Sequence, residues 1–167
     1  MGSTATHAPR GELPITFKVV LERQPASALL KLAQPGPKTP DEGEHGNMTY
    51  GEFNAFCRAL PATTYVIQWG GSHVWKVGGK VFAIASGQDD KPSVSFKVSD
   101  IAYEMLKDQS GLRPAPYLAS RGMKWIQHFA KPGLSDAALR DYIRQSHLIV
   151  SQGLSKKRRI ELGLGTR

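Results

Sequence analysis

Fourteen residues, HVWKVGGKVFAIAS from His73 to Ser86, constrain the fold of this 167-residue chain more than any other stretch. Two alternating apolar runs flank Gly78-Gly79, and a two-residue Gly-Gly link suits the positive-φ positions of a tight hairpin turn. If the turn sets the register, Val77 faces Lys80, Trp75 faces Phe82 and His73 faces Ile84. Trp75, Val77, Phe82 and Ile84 then share the core side, and Val74, Lys76, Val81 and Ala83 share the other. Lys76 and the tip residue Lys80 are left near solvent, where they can meet an anion.

The remaining pattern builds on that hairpin. Thr49 as N-cap, with Glu52 three residues on, reads as a capping box, and Met48 with Phe53 as a hydrophobic staple. Phe53, Phe56, Cys57 and Leu60 recur at helical spacing until Pro61. Strands are expected at 65–69, in both hairpin arms and at 93–98, where Val94, Phe96 and Val98 alternate with polar residues. Ser99 caps a helix expected over 100–109. Residues 111–121 read as an irregular segment held extended by two prolines, and 123–129 as one more strand. Ser135 caps the longest helix, expected over 136–152, with Leu139, Tyr142, Ile143, Ile149 and Val150 as its apolar stripe. Residues 155–164 form a short basic helix or a frayed tail. This order, helix–strands–helix–strand–helix, predicts an α+β fold in which an antiparallel sheet is covered on one face by helices.

Residues 1–47 differ from the rest. They hold six of the eleven prolines, and QPGPKTPDEGEHGN (34–47) has no periodicity. The expectation is a disordered arm or an upstream extension, with a short strand at 15–21 and a short helix at 26–33 as the exceptions. The staple at Met48 lets the ordered domain, 48–164, begin there. Charge divides along the same line. Residues 1–47 carry five basic and five acidic side chains, so the formal +8 resides wholly beyond them, half of it in the last dozen residues. Such a surface attracts nucleic acid, acidic lipid or acidic protein. No run approaches the roughly 18 apolar residues of a membrane span, and a single cysteine excludes an internal disulfide. A cytoplasmic location is the expectation.

With these elements in place the chain resembles the MmcQ/YjbR group, small bacterial proteins associated with DNA binding and a CyaY-like (frataxin-like) fold. The resemblance rests on TYGEFNAFCRALP, VWKVGGKVFA, SVSFKVS, LRPAPYLASRGMKWI and DYIRQSHLIVSQGL followed by KKR, and it covers roughly residues 48–164. An Arg-Pro element, a basic loop and a tryptophan are frequent in that order in the group. Arg113-Pro114, Arg121 with Lys124, and Trp125 occupy those places. The resemblance implies a CyaY-like α+β layer and a non-enzymatic DNA-binding protein.

The candidate DNA contacts are Lys76, Lys80, Lys97, Arg113, Arg121, Lys124 and the run Lys156, Lys157, Arg158, Arg159. Lysines on an open sheet face engage phosphates as point charges, giving sequence-independent, salt-sensitive binding. An arginine fork matches phosphate geometry. Each group has a plainer reading as well: a solvated sheet face, a loop anchored on carbonyls, a charged helix end. Tyr117, Trp125 and His128 are candidates for stacking or for lining a pocket, the latter in a protein- or small-ligand-binding module of the same fold. Catalysis has little support. His7, His45, His73, His128 and His147 lack metal-ligand spacing, Cys57 lies on an apolar stripe, and Ser72-His73 lacks a nucleophile elbow. Gly79-Lys80 lacks the rest of a phosphate loop. An iron role would want an acidic ridge on the first helix, which carries only Glu52. No enzyme activity, cofactor or metal is expected. The sequence sets neither a DNA target nor an oligomeric state.

Overall fold

The computed structural model describes residues 48–165, and the expectations for residues 1–47 lie outside that range. Helix α1 (Tyr50–Ala59) starts as its sequence requires. The Thr49 hydroxyl accepts from the Glu52 amide, while the Glu52 carboxylate accepts from the Thr49 amide at 2.9 Å. Met48 and Phe53 are both buried beneath this turn. Four strands follow: β1 (Thr63–Gln68), β2 (Ser72–Val77), β3 (Lys80–Ser86) and β4 (Ser93–Lys97). Helix α2 (Asp100–Leu106), capped by Ser99, leads to β5 (Leu112–Pro114), a 3-10 turn (Ala119–Arg121) and β6 (Trp125–His128). Helix α3 (Asp136–Gln152) and the short α4 (Lys156–Glu161) close the fold. The sheet is antiparallel throughout, in the order β1-β2-β3-β4-β6-β5.

The hairpin turn is where the sequence puts it, with Val77 opposite Lys80, but the register changes one step later. Lys76 pairs with Val81 and Trp75 with Ala83, so Phe82 is an extra residue in β3. This β-bulge overturns the expected Trp75–Phe82 and His73–Ile84 pairs, because an inserted residue shifts every later partner by one. Ile84 now faces Val74 on the second side of the sheet, and Ala83 and Ala85 replace it on the Trp75 side. Phe82 and Ala83 are both buried, and the Phe82 ring meets His147 of α3 edge-on at 5.1 Å.

A bulge leaves ladder groups without partners, and α3 supplies one. The buried Ser146 hydroxyl donates to the Phe82 carbonyl at 2.6 Å and accepts from the Lys97 amide at 2.8 Å. Those two groups would have paired in an unbroken β3–β4 ladder. Alongside, Tyr142 stacks on Phe96 at 5.6 Å. Leu139, Ile143 and Val150 complete the buried stripe of α3, with Ser146 and His147 inside it and Ile149 only half-buried. α1 joins on the same face. Its Asn54 bonds Trp75, and Phe56 lies 5.4 Å below the Arg144 guanidinium of α3. The core between this face and the helices includes Phe53, Cys57, Trp75, Phe82, Phe96, Ile126, Leu139 and Ile143, all buried. Each such side chain contributes about 1.5–3 kcal/mol of transfer free energy.

Other boundaries move by a residue or three. β1 ends at Gln68 because Trp69 takes a positive φ of 50°, and α2 ends at Leu106 rather than 109. The larger correction is at 111–121. An irregular segment was expected there, yet Leu112–Pro114 adds to β6 as an edge strand. An edge tolerates proline, because one side of the strand needs no ladder bonds. Trp125–His128 is consequently an interior strand, shorter than the expected 123–129. The basic tail is a helix: Ser155 caps it, and Leu154 and Leu162 close over Gly78.

Candidate functional site

The register gathers most of the candidate cations at one end of the sheet. β2 and β4 finish there, while β3 and β6 begin there. Lys76 is the penultimate residue of β2, Lys80 opens β3, Lys97 closes β4 and Lys124 immediately precedes β6. The amide of Val98 bonds the Lys124 carbonyl at 2.9 Å, tying the last two together. Lys76 and Lys97 project from the face opposite α1 and α3. They are not on neighbouring strands, since β3 runs between them. Two strand spacings set their backbones about 10 Å apart.

The tail reaches the same end. Lys80 Nζ lies 3.5 Å from the Gly153 carbonyl at the C-terminus of α3, where a cation meets the negative end of the helix dipole. Leu154 and Leu162 anchor α4 on the hairpin tip, so Lys156, Lys157 and Arg158 are exposed beside Lys80, with Arg159 half-buried. Arg158 is paired with Glu161 at 3.1 Å. Lys124 Nζ sits 4.5 Å over the Tyr103 ring, close to the Glu104–Lys107 pair, whose carboxyl is held low by Lys107.

No strand of the sheet contains an aspartate or glutamate, while the strands carry Lys76, Lys80, Lys97 and Arg113. Asp89 and Asp90 occupy the β3–β4 loop at the opposite end, held to α1 by Tyr50, whose hydroxyl donates to Gly87 and whose amide donates to the Asp90 carbonyl. Lys91 shares that loop with the two aspartates, and at the lysine-rich end Asp100 and Glu104 lie in α2, so the excess of cations belongs to the strands themselves.

Arg113 is not at the basic end proper. It lies midway along the edge, its Nε donating to Gln127 Oε1 at 2.8 Å and its guanidinium 4.5 Å over Phe129. Between Arg113 and Lys124 the loop projects exposed Arg121 and Tyr117, the latter 85% exposed with a positive φ of 65°. A bulky residue in that region of backbone space is strained, and it holds the ring away from the protein. Trp125 and His128 do not share this presentation. They are 5% and 1% exposed, so the expectation that they stack on a base or line an open pocket is corrected. Both lie in β6, which has β4 on one side and β5 on the other, an interior place that a strand's own residues do not announce.

The structure also accounts for the groups weighed for catalysis. Burial pushes the Cys57 thiol far up, keeping it protonated. Ser72 turns to Trp69, while His73 Nδ1 is engaged by Asn54 and Tyr65 on the other face. Among the described residues no three His, Cys, Asp or Glu side chains converge to hold a metal ion, and no helix is long and apolar enough to cross a membrane. Sequence reasoning missed the aromatic cluster of Tyr50, Tyr65, His73 and Trp75 at the β1 edge, whose rings lie 4.5–5.6 Å apart. Its only sequence signal is the alternation of Tyr65, Ile67 and Trp69.

Comparison with known proteins places the chain. It is 31% identical over 86 residues to the uncharacterised protein YbdF of Escherichia coli O157:H7, covering 50% of this chain and 68% of that one. The crystal structure of Deinococcus radiodurans protein DR2400, with a DUF419 domain, overlays with a TM-score of 0.64 at 23% identity. The overlay covers 74% of this chain and 94% of the other, and it shows a shared fold. The YjbR family profile matches residues 58–149, from the end of α1 to the end of α3. On that match, spanning more than half of its length, the chain belongs to the YjbR family.

Proposed function

We propose that this domain is a non-enzymatic DNA-binding protein that contacts the phosphate backbone through the basic end of its sheet. One observation carries the reading. Lys76, Lys80, Lys97, Lys124 and the α4 cations come from five separate elements and converge on one end, and the strands there hold no carboxylate. Glu161 and Glu104 flank this end, each paired within its own helix, and the strands between them add cations alone. Lysines on strand ends and a cationic helix suit a charged ladder of phosphates, and exposed Tyr117 beside Arg121 offers a ring on which an unstacked base can lie. Readout of base edges is not part of the proposal, because among the described residues no helix is presented as a groove reader.

The test is fluorescence anisotropy of the full chain with duplex and single-stranded DNA over a salt series. The expected result is binding near physiological salt, with a log–log slope of several phosphates. Charge reversal at Lys76, Lys97, Arg121 and Lys124 together should weaken it by at least about tenfold, or roughly 1.4 kcal/mol. Asp89→Asn with Asp90→Asn, at the opposite end, should change affinity little, since that distance exceeds the roughly 10 Å screening length. Equal affinity of the charge-reversed and native proteins overturns the reading.

A further inference from the structure

The two edges of the sheet are protected unequally. β5 is three residues long and carries Arg113 and Pro114, both of which discourage strand addition. β1 is six residues, TTYVIQ, with neither charge nor proline, and its outer side has no strand neighbour among the described residues. The uncharged stretch extends well past the strand, since no Lys, Arg, Asp or Glu occurs between Arg58 and Lys76. Tyr65 and Ile67 on the helix side of β1, with Trp69 just beyond, are 40%, 56% and 65% exposed. An uncharged edge with exposed apolar side chains, left open in this way, is a template for another strand.

We propose that the β1 edge is a homodimer interface, in which β1 pairs antiparallel with β1 of a second copy. Charge points to that occupant. Two copies of a chain with formal charge +8 repel each other except across a neutral surface, and this edge is such a surface. Antiparallel pairing of identical strands is self-complementary about a two-fold axis. Keeping the helices of both copies on one side of the joined sheet requires paired residue numbers with an even sum. Two even registers are equally central, one with Tyr65 opposite itself and one with Val66 opposite itself; the second is proposed, because it sets Tyr65 opposite Ile67 twice. An aromatic residue opposite a β-branched one is a favourable cross-strand pair. One short strand buries less than the roughly 1,200 Å² of a standard interface, so the dimer is reversible and concentration-dependent.

Sedimentation of the full chain across micromolar concentrations tests this. The expected result is a monomer–dimer equilibrium that tightens as salt screens the like charges, the opposite of the salt trend for DNA. Ile67→Lys, at an exposed position, should raise the dimer dissociation constant at least about tenfold without lowering the melting temperature. Val66→Cys should form a disulfide-linked dimer on oxidation, with buried Cys57 silent. A chain that stays monomeric at every concentration overturns the proposal, including one whose β1 amides are protected from exchange, since residues 1–47 would then be the occupant. So does a dimer that ignores Ile67→Lys and leaves Val66→Cys uncrosslinked.

Discussion

Two side chains in this domain do work that their residue type does not announce. Ser146 sits in the apolar stripe of α3 and closes the gap left by the β3 bulge, bonding the Phe82 carbonyl and the Lys97 amide at once. Ser146→Ala leaves both buried backbone groups without that partner and should cost about 2–3 kcal/mol, read by chemical denaturation. A loss below about 0.5 kcal/mol would mean that the bulge rearranges to pair its own ladder. Asn54 orients His73 by a chain of single-valued donors. The Trp75 indole N–H can only donate, so Asn54 Oδ1 accepts from it at 2.9 Å and Nδ2 faces His73. His73 Nδ1 therefore accepts, and also takes the Tyr65 hydroxyl at 2.8 Å, which places the ring proton on Nε2. The His73 ring, lying between Tyr50 and Tyr65, is thus held in one orientation.

Among the elements, the hairpin tip and α4 depend on each other. Gly78 and Gly79 have φ of 58° and 84°, as a two-residue hairpin turn requires, but only Gly78 lies under another element. A Cβ there would come within 2.6 Å of Leu154 and 3.2 Å of Leu162, whereas one on Gly79 would meet nothing within 4 Å. Gly79→Ala should cost only the backbone strain, about 1–2 kcal/mol. Gly78→Ala should cost about 1 kcal/mol more, since the leucines that seat α4 must shift. Equal melting temperatures for the two variants would show that α4 is not seated on the tip. The same contact explains why the basic run is a helix: without two leucines on an apolar seat, six residues are too few to hold helical structure.

At the scale of the whole molecule, stability should depend on pH through buried histidines. Desolvation lowers the pKa of His128 below its ordinary 6.5, and lowers that of His147 too, partly offset by its bond to the Pro61 carbonyl. A depressed histidine pKa means that the unfolded chain binds more protons than the native one as pH falls below 6.5. Stability is then complete above that pH and declines beneath it. The Tm should be level near neutrality and fall between about pH 6.5 and 5, with a shallower fall in His128→Leu. An unchanged profile in that variant would assign the slope elsewhere. Glu104, held low by Lys107, acts only nearer the ordinary carboxylate range.

How much of this was legible from residues alone follows the range of the interactions. Thr49 and Glu52, Ser99, Ser135 and the Gly78-Gly79 turn each act within a few residues, and every one of them stands where local chemistry put it. The α+β class followed from those signals and from two periodicities. The basic end was legible only as a list of cations, because their convergence depends on strand order and register. Phe82 reads as an ordinary alternating residue, and nothing near it in the chain marks the bulge, whose hydrogen bonds are completed by Ser146, 64 residues away. β5 likewise reads as a proline-broken loop until β6 lies beside it. The amino-acid sequence by itself determined the caps, the turns, the fold class and the positive charge, because these depend on neighbours along the chain. Tertiary structure alone decided which cations stand together, that Trp125 and His128 are buried and which edge of the sheet is left open, because each depends on groups far apart in sequence.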